Sequence, residues 1–247
     1  MTDSSRPVVV ITGAAKRVGA VMAEAFCEAG YDLAISYRHS RAEAEAVAAR
    51  CEAKRAQSCM ALPLDLADTS ALAPFIDRVA ARHGRIDALI NNASSFFPTP
   101  LAQANEAQWD ELFAANAKAP FFLARAAAPH LARTRGCIVN LVDIYGERPL
   151  AQHPIYCMAK AALGMMTMAL AKDLGPDIRV NGIAPGAVLW PESGKAEVER
   201  RELLARTPLG RAGDPADLAR AALFLVRDAP YITGEILRVD GGRALTI

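Results

Sequence analysis

Tyr156 and Lys160 stand four residues apart, and Asp143 precedes the tyrosine by thirteen. On a helix, residues four apart share a face, so the lysine ammonium can lie beneath the phenol. A positive charge there favours phenolate and lowers the tyrosine pKa, which suits the hydroxyl to give up a proton near neutral pH. An acid reaching the same spot constrains the substrate. A ketone under reduction builds negative charge on oxygen, and a carboxylate beside it raises the barrier. A C=N bond instead needs hydride on carbon and a proton on nitrogen. Asp143 could share that proton with Tyr156 or accept from ring and amino N–H groups. A plain helix-cap or loop aspartate is the alternative.

Four further segments carry residues suited to a nucleotide. Thr12-Gly13-Ala14-Ala15-Lys16-Arg17-Val18-Gly19 lies between a strand and a helix. Gly13 permits a tight turn, Gly19 a close helix approach, and the helix N-terminus offers free N–H groups to a pyrophosphate. Arg17 holds the middle position, as a solvated arginine or as a guanidinium beside phosphates or an anionic substrate edge. The second strand ends in Ser36-Tyr37-Arg38-His39-Ser40. An NAD-preferring fold usually places an acid there for the ribose 2′-OH, whereas Arg38, His39 and the Ser40 hydroxyl suit a 2′-phosphate, and hence NADPH. Asp32 lies at the wrong end of that strand. Asp65 and Leu66 follow the third strand, where a side chain can meet adenine, although Asp65 also suits a helix start. Asn92, Ala93 and Ser94 follow the fourth strand and are small enough for close cofactor approach. Phe96 comes next, in a loop bounded by Pro98 and Pro100 that makes burial by packing hard to arrange.

Asn116 falls on the apolar stripe set by Trp109, Leu112 and Phe113. Pro120, four residues on, has no N–H for the Asn116 carbonyl. A kinked helix with a satisfied core asparagine is one reading. A buried asparagine with bound water that feeds protons to Lys160 is the other, and both can hold.

These residues need a scaffold that gathers strand ends. Val8–Thr12, Asp32–Tyr37, Ser58–Leu64, Ile86–Asn91, Cys137–Val142, Ile178–Ile183 and Glu235–Val239 read as strands separated by helices, beginning with Val18–Ala29 and Arg41–Arg55. Repeated β–α units demand right-handed crossovers and a parallel sheet with helices on both faces. The expectation is α/β: a single doubly wound domain over residues 1–247, with a substrate loop at about 186–206. Gly186–Gly194, with Trp190-Pro191, reads as its most mobile stretch. Asp214-Pro215-Ala216-Asp217 reads as a helix start without a functional role.

Composition excludes more than it proposes. The 247 residues are 52% hydrophobic and 22% charged, with net charge +1, so nothing invites nucleic acid or a membrane surface. No signal peptide and no apolar run of bilayer length is read. Five cysteines without CxxC and four histidines without HxxxH suit buried free thiols in a reducing cytoplasm and no metal. Cys157 adjoins Tyr156 but points about 100° away on a helix, which suits packing.

Taken together, TGAAKRVG, NNA, Asn116, Tyr156-Cys157-Met158-Ala159-Lys160 and Asn181-Gly182-Ile183-Ala184-Pro185-Gly186 resemble the short-chain dehydrogenase/reductase family, in the family's order and over nearly the whole chain. The resemblance implies a Rossmann-type fold with Pro185 and Gly186 at the cofactor. It implies Tyr156 as proton donor, Lys160 at the nicotinamide ribose, and Asn116 in a water-linked relay. The usual member has serine at position 143 and glycine at position 17. Both departures, with SYRHS and NNASSFFPTPL, look like the pteridine reductases and the related dihydromonapterin and dihydrofolate reductases. That likeness implies a pterin or folate substrate held between nicotinamide and Phe96, with Arg17, Ser94, Asp143 and Tyr156 as polar contacts. The family resemblance also implies a homotetramer; Met158, Met165, Met166 and Met168 read as packing residues of their helix that could also contribute to its interface. A 3-oxoacyl reductase that tolerates Asp143 and a dinucleotide-binding sensor without turnover remain as alternatives.

Overall fold

Val8–Ile11 (β1) is apolar at every position because both of its faces are covered. Val9 and Ile11 pack with Met22 and Phe26 on one side, and Val8 and Val10 with Phe75, Ile76 and Val79 on the other. The two-residue period of a strand thus feeds two cores at once, and no polar alternation is needed. The computed structural model describes residues 6–189 and 197–247.

Among these residues the strands are β1, Asp32–Tyr37 (β2), Cys59–Pro63 (β3), Ala88–Asn91 (β4), Cys137–Leu141 (β5), Arg179–Pro185 (β6) and Ile236–Val239 (β7). They form one sheet in the order β3-β2-β1-β4-β5-β6-β7, and every pairing is parallel. Helices Arg17–Glu28 (α1), Arg41–Lys54 (α2), Leu72–His83 (α3), Glu106–Phe113 (α4), Ala119–Thr134 (α5), Pro154–Leu174 (α6), Glu197–Ala205 (α7) and Pro215–Leu223 (α8) complete the frame. Apolar residues of α1, α2 and α8 build the core on one face of the sheet, and those of α3 and α5 the core on the other. The result is a Rossmann-type α/β fold, doubly wound as expected.

The expected strands are all present, β2 with the expected ends and the others with shifted ones. β4 starts at Ala88 rather than Ile86, because the Ile86 carbonyl accepts from the Thr134 hydroxyl (2.8 Å) instead of joining the ladder. β6 runs past Ile183 to Pro185, because Ala184 and Pro185 pair with Arg238 and Val239 of β7. Asp214 starts α8 as anticipated, with Pro215 in the first turn and Asp217 returning a bond to the Asp214 amide (2.9 Å).

Between α4 and α5 the chain makes a π-helical turn, Ala114–Lys118, centred on Asn116. Ala119 N–H donates to the carbonyl of Ala114, five residues back. Pro120 cannot donate to Asn116, and the ladder widens by one residue just before it. The expected kink is therefore a widened turn.

α6 carries Tyr156 and Lys160. A chain of buried polar groups ties it to the sheet: Asn91 Nδ2 donates to Asn140 Oδ1 (2.8 Å), and Asn140 Nδ2 to the Thr167 hydroxyl (2.9 Å). The sequence reading found no apolar run of bilayer length, yet α6 meets that criterion by length and composition. Half of the qualifying window is buried against the rest of the chain, as expected of a core helix. Of the expected substrate loop, Gly186–Leu189 and α7 are described. Residues 190–196, including Trp190-Pro191, lie outside the described residues.

Candidate active site

The strand order reverses between β1 and β4, so the crevice between their C-terminal ends is where a ligand of such a sheet sits. Thr12 and Asn92 build its floor. The Thr12 hydroxyl accepts from the amides of Asn92 (3.0 Å) and Ala93 (3.1 Å). Asn92 Nδ2 donates back to the carbonyls of Thr12 (2.8 Å) and Gly13 (3.1 Å). Gly13 has φ +62°, and a Cβ there would lie 2.7 Å from Ala93 Cβ. At Gly19 a Cβ would lie 2.5 Å from the Gly13 carbonyl and 2.6 Å from Asn92 Nδ2. The close approach expected at Gly19 is thus made to the loop and Asn92 rather than to the strand itself.

Arg17 opens α1 at φ +54°, a left-handed conformation that glycine adopts more cheaply. No side chain caps this helix and no acid lies in its first turn, so its N-terminal dipole is left for an anion. Gly13, Arg17, Val18, Gly19, Asn92, Ala93, Ser94, Asp143, Tyr156, Lys160, Pro185 and Gly186 line one open cavity of about 450 Å³. Lys16 and Leu189 line it too. A second cavity, of about 210 Å³, shares Gly13, Ala93 and Ser94 with the first and continues to Ser36, Arg38, Asp65 and Leu66. His39 and Ser40 do not line it. Ser40 precedes α2 without a side-chain cap bond, and Asp65 Oδ1 accepts from the Ala67 amide (3.0 Å). Asp32, at the far end of β2, pairs with Arg55 at 2.9 Å.

The acid and the tyrosine meet. Tyr156 Oη donates to Asp143 Oδ2 at 2.7 Å, while Asp143 Oδ1 accepts from the Tyr145 amide at 2.9 Å. Asp143 therefore also caps the short turn Ile144–Gly146, so the plain reading and the chemical one hold together. Lys160 Nζ lies 5.8 Å from the Tyr156 ring centroid and donates to the Leu141 carbonyl at 2.7 Å. Tyr156 and Lys160 are both buried.

Burial decides the electrostatics. It pushes the Lys160 ammonium down to about 8, against the upward pull of Asp143. It pushes the Asp143 carboxyl up, against the bonds from Tyr145 and Tyr156 and the charge of Lys160. Burial first, and the Asp143 carboxylate second, hold the Tyr156 phenol well above its ordinary range. This reverses the expectation that Lys160 lowers it: the ammonium turns toward Leu141, and the phenol faces a carboxylate. The pocket keeps Tyr156 protonated.

Asn116 is buried beside this cluster. Its Nδ2 donates to the carbonyls of Ser95 (2.9 Å) and Leu112 (2.9 Å), and its Oδ1 has no partner among the described residues. Phe96 stays 48% exposed and meets the Tyr156 ring edge-on at 4.7 Å. His153 stacks on Phe96 at 4.8 Å. Sequence reasoning passed over His153, although its place three residues before Tyr156 was the available signal. It also left out Thr12 and Ser36, whose hydroxyl accepts from Gly13 N–H at 3.1 Å. The five cysteines are free and buried; Cys157 Sγ accepts from the Leu150 amide at 3.3 Å, and Cys157 does not line the cavity.

A family model described as enoyl-(acyl carrier protein) reductase matches residues 13–244. Pteridine reductase 1 of Leishmania tarentolae is 34% identical, with 99% of this chain and 99% of that protein covered. The 3-oxoacyl-(acyl-carrier-protein) reductase FabG of Staphylococcus aureus is 32% identical, with 94% of this chain and 96% of that protein covered. The chain belongs to the short-chain dehydrogenase/reductase family of NAD(P)H-dependent oxidoreductases.

Proposed function

We propose that this protein is an NADPH-dependent reductase of pterin C=N bonds, taking dihydropterins, with dihydrofolate as a further candidate, to the tetrahydro form. The observation that carries this reading is the 2.7 Å bond from Tyr156 to Asp143. A carboxylate in contact with the proton donor opposes charge on a carbonyl oxygen but suits a heterocycle rich in N–H groups. Pteridine reductase 1 among the relatives supports it.

Gly13, the N-terminus of α1 and Gly19 would hold the pyrophosphate, and Arg38 the 2′-phosphate, with His39 and Ser40 beside it. Asp65 and Leu66 would meet the adenine, and Lys160, Pro185 and Gly186 the nicotinamide end. NADPH, when bound, supplies the hydride. Phe96 would cover the flat ring, while Arg17, Ser94 and Asp143 receive its polar edge. Tyr156 would deliver the proton to the ring nitrogen. Asn116, whose unpartnered Oδ1 suits a bound water, would lead a replacement proton toward Lys160. Exposed Met158, Met165 and Met168 on α6 and Phe121 on α5 support assembly as a homotetramer.

The similarity to FabG favours one other reading, reduction of a 3-oxoacyl thioester. Purified protein with NADPH, tested against dihydrobiopterin, dihydromonapterin, dihydrofolate and an acetoacetyl thioester, separates the two. Turnover of the thioester alone would overturn the pterin reading.

A further inference from the structure

Three polar contacts join α6 to β5 and the residues just past it, and they run in opposite order along the two segments. Asn140 Nδ2 donates to the Thr167 hydroxyl (2.9 Å), Lys160 Nζ to the Leu141 carbonyl (2.7 Å), and Tyr156 Oη to Asp143 Oδ2 (2.7 Å). Tyr156, Lys160, Leu163 and Thr167 follow the spacing of one helix stripe. The contacts are spread over about 16 Å of that helix. Asn140 and Thr167 are fully buried, and neither lines the active-site cavity. The Thr167 hydroxyl has one hydrogen, which the Leu163 carbonyl takes at 2.9 Å, so toward Asn140 it accepts. The Asn140 side-chain oxygen in turn accepts from Asn91 Nδ2 (2.8 Å), which carries the tie into β4.

The other buried residues of this face hold the helix less strictly. Ala159, Leu163 and Gly164 offer apolar or bare surface, and a Cβ at Gly164 would make only ordinary contact with Val142 (3.8 Å). Apolar burial is non-directional, so it tolerates a small slide of the helix that a hydrogen bond does not. Two of the three ties belong to Tyr156 and Lys160, whose protons move in the proposed reaction. The Asn140–Thr167 bond is untouched by that transfer.

We propose that Thr167 is a positioning residue: held by Asn140, it fixes the place of α6 along β5 and keeps Tyr156 within reach of Asp143 while the proton is passed. This inference rests on Tyr156 as the proton donor, whichever substrate receives the proton.

Thr167→Val and Thr167→Ala both remove the acceptor, the first keeping the shape and the second favouring the helix. Thr167→Ser keeps the hydroxyl. Ala171→Gly, one turn further along α6, weakens the same helix without touching the tie. These variants, wild type and Tyr156→Phe are assayed with NADPH on the compound of the panel above that wild type reduces fastest, beside thermal unfolding. Thr167→Val and Thr167→Ala should lower kcat roughly tenfold to a hundredfold, the scale of a small misplacement of reacting groups, with little change in substrate KM. Thr167→Ser should recover most of that loss, and Ala171→Gly should lower Tm yet keep kcat. Wild-type kcat in either folded variant without the acceptor would overturn the proposal. So would an equal loss of kcat in Ala171→Gly at an equal loss of Tm. A crystal structure of Thr167→Val with Tyr156 Oη still 2.7 Å from Asp143 Oδ2 would overturn it without reference to turnover. Full activity in Tyr156→Phe would instead remove the proton-donor reading, and this inference with it.

Discussion

Asp143 divides its two carboxylate oxygens between structure and chemistry: Oδ1 takes the Tyr145 amide and Oδ2 takes the Tyr156 hydroxyl. The first bond fixes the carboxylate on a tight turn, so the second is aimed rather than incidental. Replacing Asp143 by Ser shortens the side chain and removes the charge. Pterin reduction should then fall roughly a hundredfold or more, the scale of a lost proton-transfer partner. Steady-state kinetics with a dihydropterin check this, and an unchanged kcat would remove Asp143 from the catalytic set.

The same pair governs the expected pH profile. Lys160 has a folded value of about 8, below its ordinary range, so it loses its proton as the pH rises through about 8 while the unfolded chain still holds it. Its contribution to stability therefore grows with pH through the window from about 8 to its ordinary value. If the ammonium is needed at the nicotinamide ribose, kcat/KM should instead fall across pH 8, since that ratio reports the free enzyme. Asp143 pulls Lys160 upward, so Asp143→Asn should move this limb to lower pH. A limb that stays in place in the variant would separate it from Lys160.

Much of the site could be read from sequence because it hangs on strand ends. Gly13, Asn92, Asp143 and Pro185 each lie at or just past a β-strand whose apolar run is visible in the chain, and a parallel sheet brings all such ends to one edge. His153, Thr12 and Ser36 escaped because their partners lie on other segments, brought near only by folding: Phe96, Asn92 and Gly13. The direction of the Tyr156 shift was misread for a related reason. Charges four residues apart are legible, but burial is a property of the packed pocket, and here burial and then the facing Asp143 carboxylate set the direction. The π-helical turn at Asn116 was half legible, since Pro120 shows that a bond is missing but not how the backbone absorbs the loss.

Asn116 links the backbone of that turn to the loop carrying Phe96. Asn116→Ala would leave the carbonyls of Ser95 and Leu112 without this donor. The loss should be roughly 1–3 kcal/mol. For a chain of this size each kcal/mol lowers Tm by about 2–4 °C. Calorimetry measures the drop. Activity should fall further than stability if the proton relay runs through this residue, so a fully folded and fully active Asn116→Ala would argue against the relay.

Arg38 offers the cleanest separation of cofactor from substrate. It lines the smaller cavity at the end of β2, remote from Asp143 and Tyr156, which line the larger one. Charge-assisted hydrogen bonds contribute about 1.5–3 kcal/mol, so Arg38→Ala should weaken NADPH binding roughly tenfold to a hundredfold. NADH binding should barely change, because NADH lacks the 2′-phosphate. Arg38→Asp goes further: a carboxylate there repels the phosphate and can accept from a ribose 2′-OH, so the preference should turn toward NADH. Fluorescence titration of each variant with both dinucleotides reads the ratio directly. KM for the pterin at saturating cofactor should stay constant, since Arg38 is not among the proposed substrate contacts. Equal loss of NADPH and NADH binding would mean that Arg38 supports the loop rather than the phosphate, and the choice of NADPH over NADH would then have to lie with His39 and Ser40.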